Sequence, residues 1–319
     1  MGFRVLVTAP YFQPVLDRFR AAFDKAAVEL ITPPVRERMD EEELLRWIAD
    51  IDGAICGDDR FTEKVLSNAP RLKVISKWGT GIDSIDKVAA ERRGIKVLNT
   101  PDAFSHAVAD SVLGYIVCFA RKLPEMDRRM RGGEWAKVPS VSLLECTLGV
   151  IGVGNVGKQV VRRAKAFGMT LLGNDLVEMP AAFLAETGIQ MVPKEELYRK
   201  ADFVSVNCDL NETSFHLIND TSLGLMKKSA YLINTARGPI VEEAALVRAL
   251  GAERIAGAAL DVFEVEPLPA ESGLWRFENV MVSAHNANSS PAAWERVHRS
   301  TIKNLFIGLG IAHAEEIES

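Results

Sequence analysis

The sequence predicts an α/β protein built on doubly wound parallel sheet, and three observations predict it. Short apolar runs of strand length alternate with segments whose apolar residues recur at helical spacing, from Phe3 to Ser283. One such run, Leu148 to Ile151, leads into glycines spaced G-x-G-x-x-G and then into a helix. Polar side chains suited to chemistry, Arg237, Glu266 and His285, fall just past later strands of the same series.

A chain of 319 residues is long enough for two domains, each with its own core. Its 48% hydrophobic and 25% charged residues are those of an ordinary globular protein. A net charge of −5 disfavours nucleic acid or an anionic membrane as the main partner. The start, MGFRVLVTAP, reads as a first strand and is too short for a signal peptide. Gly2 lacks the serine or threonine of a myristoylation signal, and no apolar run reaches the roughly 18 residues of a membrane span. Cys56, Cys118, Cys146 and Cys208 form no C-x-x-C pair, which points to buried free thiols in a reducing cytoplasm and away from a metal site.

In order, Phe3 to Thr8 reads as a strand, Pro14 to Ala26 as a helix and Val28 to Thr32 as a second strand. Asp40 to Asp50 reads as one acidic amphipathic helix, Ile51 to Cys56 as a strand, and Thr62 to Asn68 as a helix stopped before Pro70. Leu72 to Ser76 and Lys96 to Asn99 complete five strands of a first α/β unit. The loop Ser76-Lys77-Trp78-Gly79-Thr80-Gly81-Ile82-Asp83 follows the fourth strand, on the edge where open α/β sheets bind ligands. Its glycines can aim backbone N–H groups at a carboxylate, and Lys77 can add a point charge. A tight turn with a merely solvated Lys77 explains the same residues equally well.

Thr100-Pro101 marks a hinge candidate, because the residue before proline is held extended. Ser105 to Arg121 is a long helix so apolar that it must be covered, a second subunit being one way to do so. It carries His106 and Asp110 on one face. After the loop Arg131 to Trp135 comes the fingerprint itself. Gly152 permits the tight turn, Gly154 lets a pyrophosphate approach the backbone, and Gly157 lets helix and strand pack closely. Free N–H groups at the helix start, around Asn155 and Val156, favour phosphate charge. The helix stops at Gly168, and Met169 to Gly173 is a strand leading to Asp175. A carboxylate there accepts hydrogen bonds from both ribose hydroxyls and repels a 2′-phosphate. Leu176, Val177 and Glu178 offer no arginine to such a phosphate, so a Rossmann-type site for NAD rather than NADP is expected.

Further strands are expected at Phe203 to Asn207, Tyr231 to Asn234, Ile255 to Val262 and Val280 to Ser283. Helices are expected at Leu223 to Met226, Glu242 to Leu250 and Pro291 to Leu309. Arginine grips a carboxylate with two prongs, and histidine trades a proton near neutral pH, aided by a neighbouring carboxylate. Arg237, His285 and Glu266 supply that set for hydride transfer between NAD and an alcohol carbon. Taken singly, each also reads as an ion-pair arginine, an exposed turn acid and a structural histidine.

The motifs KWGTGIDSID, GVIGVGNVG with Asp175, NTARGPIVEEAAL, GAALDVFEVEP and SAHNANSS together resemble the D-isomer-specific 2-hydroxyacid dehydrogenases, from about Lys73 to Asn304. The resemblance implies that Arg237 binds the substrate's carboxylate and carbonyl, with Glu266 and His285 as the acid–base pair. It places Lys77, Trp78, Gly79, Thr80 and Gly81 at the substrate. It adds Cys208, Thr235, Ala236 and Asp261 to the cofactor residues, Asp261 holding the nicotinamide carboxamide. It further implies a split, flavodoxin-like substrate domain, residues 1–100 with 289–319, around an inserted NAD-binding domain, residues 101–288. The long helix after Pro101 would then build a homodimer.

Ala284 stands where a proline is common, Asn207-Cys208-Asp209 where His-x-Pro is frequent, and Asp110 where glutamate is common. KWGTGID and Gly133-Glu134-Trp135-Ala136-Lys137 look most like the phosphoglycerate dehydrogenases of the family. Lys77 and Lys137, with His106, would then favour 3-phosphoglycerate and 3-phosphohydroxypyruvate. Two rivals stay open: a non-enzymatic NAD-sensing interaction protein of corepressor type, and a phosphite-type dehydrogenase on the same fold.

Overall fold

In the computed structural model, which describes residues 2–312, all paired strands run parallel and fall into two separate sheets. Among the described residues, one unit combines residues 2–104 with residues 290–312; the other is Ser105–Ser289. Residues 313–319, assigned above to the substrate domain, lie outside the described residues.

The first unit holds β1 (Phe3–Val7), β2 (Val28–Ile31), β3 (Gly53–Cys56), β4 (Val74–Lys77) and β5 (Lys96–Leu98), in the order β2-β1-β3-β4-β5. This is the flavodoxin-like order. Strands β3 and β4 are buried along their whole length, as expected of a parallel sheet covered on both faces. The helix Pro291–Leu309 has the bounds the sequence predicts and belongs to this unit. Its Gly308 carries no side chain because a Cβ there would lie 2.2 Å from Val74 Cγ2, so the helix backbone rests directly on β4. Ser290 caps its start, and Gly310, at φ +75°, ends it.

Two predicted helices of this unit differ in form. The segment expected as one helix from Asp40 to Asp50 is an α-turn, Glu41–Leu45, and a separate 3-10 turn, Ile48–Asp50. An Asp40–Glu43 capping box starts the first piece, and the chain tightens in order to re-enter the sheet at Gly53. Pro14 to Ala26 begins as a 3-10 helix, Gln13–Phe19, and turns α-helical over Arg20–Lys25. The helix Lys87–Arg92, not expected, buries only Ala89 and Ala90, too little apolar surface to mark a period.

The second unit holds β6 (Thr147–Ile151), β7 (Thr170–Asn174), β8 (Gln190–Met191), β9 (Phe203–Val206), β10 (Tyr231–Asn234), β11 (Gly257–Leu260) and β12 (Val280–Val282). The order β12-β11-β10-β9-β6-β7-β8 is that of a Rossmann sheet with one added strand. Strand order reverses at β6, opening the crevice there to a dinucleotide. The helix Ser105–Arg121 has the predicted bounds and packs on the fingerprint helix Asn155–Ala166, burying Val108, Val112, Ile116 and Phe119. The fingerprint helix therefore covers much of its apolar face within the same unit. Helices Leu123–Arg131, Ala181–Thr187 and Lys194–Lys200 and strand β8 were not expected. Leu123–Arg131 buries no residue at all, so it has no apolar stripe to read.

All four cysteines are free thiols. Among the described residues no cluster could hold a metal ion, and no helix is long and apolar enough to cross a membrane.

Candidate active site

Strands β10, β11 and β12 are hydrogen-bonded neighbours, so the loops past their carboxyl ends lie side by side. The first carries Arg237, the second Asp261 and Glu266, the third His285. Asn234, fully buried at the end of β10, shapes the first loop: its amide donates to the Arg237 carbonyl at 2.9 Å and accepts from Ala236 N–H at 3.1 Å. Gly238 then lets this loop touch the next one, since a Cβ there would lie 1.9 Å from the Phe263 carbonyl. Neither Asn234 nor Gly238 was singled out from sequence; the signal available was their place inside the motif that carries Arg237.

Glu266 and His285 meet. Glu266 Oε2 lies 3.0 Å from His285 Nδ1, while Oε1 accepts the Phe263 N–H at 2.9 Å. With Nδ1–H donated to the carboxylate, proton exchange at this ring falls to Nε2. The His285 backbone sits in the left-handed region at φ +49°, which costs a non-glycine residue about 1–2 kcal/mol. Asp261, 1% exposed, offsets this. Its carbonyl accepts His285 N–H at 2.8 Å, Oδ1 accepts Asn286 N–H at 2.8 Å, and Oδ2 accepts Ala287 N–H at 2.9 Å. The Ser111 hydroxyl adds a bond to the Ala287 carbonyl at 3.4 Å. Asp261 thus holds the turn that presents His285, a role the sequence did not suggest.

Of the predicted cofactor residues, the glycine turn and Asp175 lie past β6 and β7, Cys208 past β9, Thr235 and Ala236 past β10, and Asp261 past β11. Gly152, at φ +84°, has no room for a Cβ, which would lie 2.5 Å from Cys208 N; at Gly157 it would lie 2.1 Å from the Gly152 carbonyl. Gly154, by contrast, faces open space, and Asn155 beside it is exposed at the helix start. Asp175 Oδ2 accepts Val153 N–H at 2.6 Å and Oδ1 accepts Val177 N–H at 2.9 Å, which holds the carboxylate at the mouth of the glycine turn. Thr235 Oγ1 is buried without a hydrogen-bond partner among the described residues. An open glycine, an exposed helix N-terminus, a placed carboxylate and an orphaned hydroxyl fit a dinucleotide. Burial pushes the Cys208 thiol up to about 11, so it is an uncharged neighbour of that turn.

The remaining predicted residues lie elsewhere. His106 Nδ1 is 3.2 Å from Arg163, which also pairs with Asp110 at 2.6 Å, so His106 serves the seam between two helices. Lys137 is exposed. Lys77 to Gly81 belong to the other unit. There the Gly79 carbonyl accepts from Thr100 N–H at 3.0 Å and from its hydroxyl at 2.9 Å, and Thr80 Oγ1 donates to the Thr100 carbonyl at 3.0 Å. Among the described residues the N–H groups of Gly79, Thr80 and Gly81 make no hydrogen bond to another backbone group. Lys77 is buried and paired with Asp58 at 2.7 Å, which rules out the merely solvated lysine.

A family model described as "D-isomer specific 2-hydroxyacid dehydrogenase, NAD binding domain" matches residues 113–287. The chain is 37% identical over 310 residues to a glyoxylate reductase of Thermofilum pendens, covering 95% of this chain and 90% of that protein. It is 37% identical over 294 residues to a D-3-phosphoglycerate dehydrogenase of Methanocaldococcus jannaschii, covering 91% of this chain but only 54% of that one. A crystal structure of D-lactate dehydrogenase from Aquifex aeolicus, complexed with NAD and lactic acid, matches with a TM-score of 0.87 at 26% identity, over 98% of this chain and 97% of that one. The TT0316 protein of Thermus thermophilus matches at 0.83 and 33% identity, over 97% of each chain.

Proposed function

The chain belongs to the D-isomer-specific 2-hydroxyacid dehydrogenase family, and we propose that it interconverts a D-2-hydroxy acid and its 2-oxo acid. NAD, when bound, supplies the hydride acceptor for oxidation and the donor for reduction. The observation that carries the reading is the Glu266–His285 pair at 3.0 Å, one strand away from the loop of Arg237.

In oxidation, His285 Nε2 takes the hydroxyl proton while Glu266, hydrogen-bonded at Nδ1, balances the imidazolium charge. In reduction the same nitrogen returns the proton to the developing alkoxide. The Arg237 guanidinium stabilises negative charge on the substrate oxygens. The N–H groups of Gly79, Thr80 and Gly81, in a loop whose Gly79 carbonyl is engaged by Thr100, are proposed as donors to the substrate carboxylate.

The test is NADH consumption with a panel of 2-oxo acids. His285→Ala should cut turnover by roughly 10²–10⁴-fold on the best substrate. No oxidation by any acid in the panel would favour a non-enzymatic NAD-sensing protein. A homodimer is proposed as well, supported by Met130, Trp135 and Leu144, exposed at 50%, 90% and 70% along one segment; sedimentation at monomer mass would refute it. Four free thiols support a reducing cytoplasm as its compartment.

A further inference from the structure

In the first unit β1, β3 and β4 lie side by side, so the residues past their carboxyl ends share one edge. Tyr11 follows β1, Asp58 follows β3, and Lys77 to Gly81 close β4. Two features of this edge bear on what the substrate carries beyond C2.

The first is charge. Lys77 is the basic group that a phosphorylated substrate would need, yet its side chain is 4% exposed and its ammonium is bound to Asp58. Its charge also acts on the carboxylate of Asp59, whose own pKa burial pushes up. Across residues 32–40, 57–62 and 77–81 four cationic side chains are matched by four carboxylates. A phosphate dianion therefore meets no net positive charge here, and it would have to compete with Asp58 for the Lys77 ammonium.

The second is apolar surface. Trp78 is a hub, its ring 5.6 Å from Tyr11 and 5.8 Å from Trp294, and those two rings are 5.4 Å apart. Trp78 itself is 6% exposed, whereas Tyr11 presents 38% of its surface. At Gly79 an added Cβ would meet only the Phe104 ring edge, at 3.9 Å. The glycine loop thus lies beside aromatic rings.

We propose that the acid's C3 substituent is uncharged and apolar, a branched aliphatic or aromatic group seated on Tyr11 and Trp294, and that Lys77 braces the loop through Asp58. This rests on the reading that the Gly79 to Gly81 amides receive the carboxylate. The experiment compares kcat/KM for 4-methyl-2-oxopentanoate, phenylpyruvate, glyoxylate and phosphohydroxypyruvate with NADH. At least one apolar acid should exceed both glyoxylate and phosphohydroxypyruvate by roughly tenfold, about what two buried methylenes supply. Tyr11→Ala, a change at an exposed ring, should lower the apolar-to-glyoxylate ratio at least fivefold. A preference for phosphohydroxypyruvate or glyoxylate, or a ratio unmoved by Tyr11→Ala, overturns the inference while leaving the dehydrogenase reading intact. Failure of all four acids strikes that reading instead.

Discussion

Replacing His298 with asparagine should flatten the acid limb of the protein's stability. His298 is 3% exposed and ringed by Phe12, Phe19 and Trp78. The Trp78 indole N–H donates to its Nδ1 at 3.0 Å, a bond that needs that nitrogen unprotonated. Burial lowers its pKa from 6.5 to about 4, with Arg18 pushing the same way and Glu295 opposing. In the unfolded chain the imidazole binds a proton near its ordinary value; in the folded chain it does so only near 4. The unfolded state thus holds the extra proton between those values, so stability is full above pH 6.5 and drains as pH falls toward 4. At about 1.36 kcal/mol per unit the loss is roughly 2 kcal/mol by pH 5 and roughly 3 kcal/mol by pH 4. His298→Asn leaves an amide oxygen to accept the Trp78 N–H and removes the titration. Urea unfolding followed by tryptophan fluorescence should show the variant less stable at neutral pH, through lost ring packing. The gap to wild type should close by roughly 2 kcal/mol between neutral pH and pH 5. Curves that stay parallel over that range would show that His298 is not the group responsible.

Three further perturbations test the cofactor and catalytic machinery. Gly157→Ala puts a Cβ 2.1 Å from the Gly152 carbonyl, so helix and turn must part; NADH affinity in a fluorescence titration should fall at least tenfold, by analogy with about 1.4 kcal/mol of lost placement. Asp175→Ser removes the carboxylate that would repel a 2′-phosphate and that holds Val153 and Val177; kcat/KM should fall with NADH and the NADPH-to-NADH ratio should rise. Asp261→Asn swaps one acceptor oxygen for an amide NH₂ facing a backbone N–H, at a cost of about 1–3 kcal/mol to the His285 turn. Turnover at saturating substrate should drop roughly 10–100-fold, with the melting temperature lowered by roughly 2–10 °C.

The parts readable along the chain were those that repeat a local rule. Gly152 and Gly157 have no room for a Cβ and Gly154 faces open space, and the helices Ser105–Arg121 and Pro291–Leu309 keep the bounds their apolar periods give. Arg237, Glu266 and His285 could be grouped because each stands past the end of a strand, and parallel strands deliver their ends to one edge. Short helices such as Lys87–Arg92 and Leu123–Arg131 stayed hidden because they bury almost nothing, so no stripe announces them.

Chemistry and specificity differ in how far they can be read for a related reason. The proposed proton carrier, His285, and its partner Glu266 sit on loops of adjacent strands, so the pairing of those strands brings the loops together. Specificity rests on which loop residue answers which. Along the chain, Asp58 is an unremarked turn acid and Lys77 an available cation; only the pairing of β3 with β4 sets one against the other and removes the charge. Asp261 makes the same point within the loops past β11 and β12, since its carboxylate reaches 25 and 26 residues ahead to take the N–H groups of Asn286 and Ala287. A substitution that keeps every catalytic side chain but changes Asp58 or Tyr11 should therefore redirect the enzyme among 2-oxo acids more readily than it disables it.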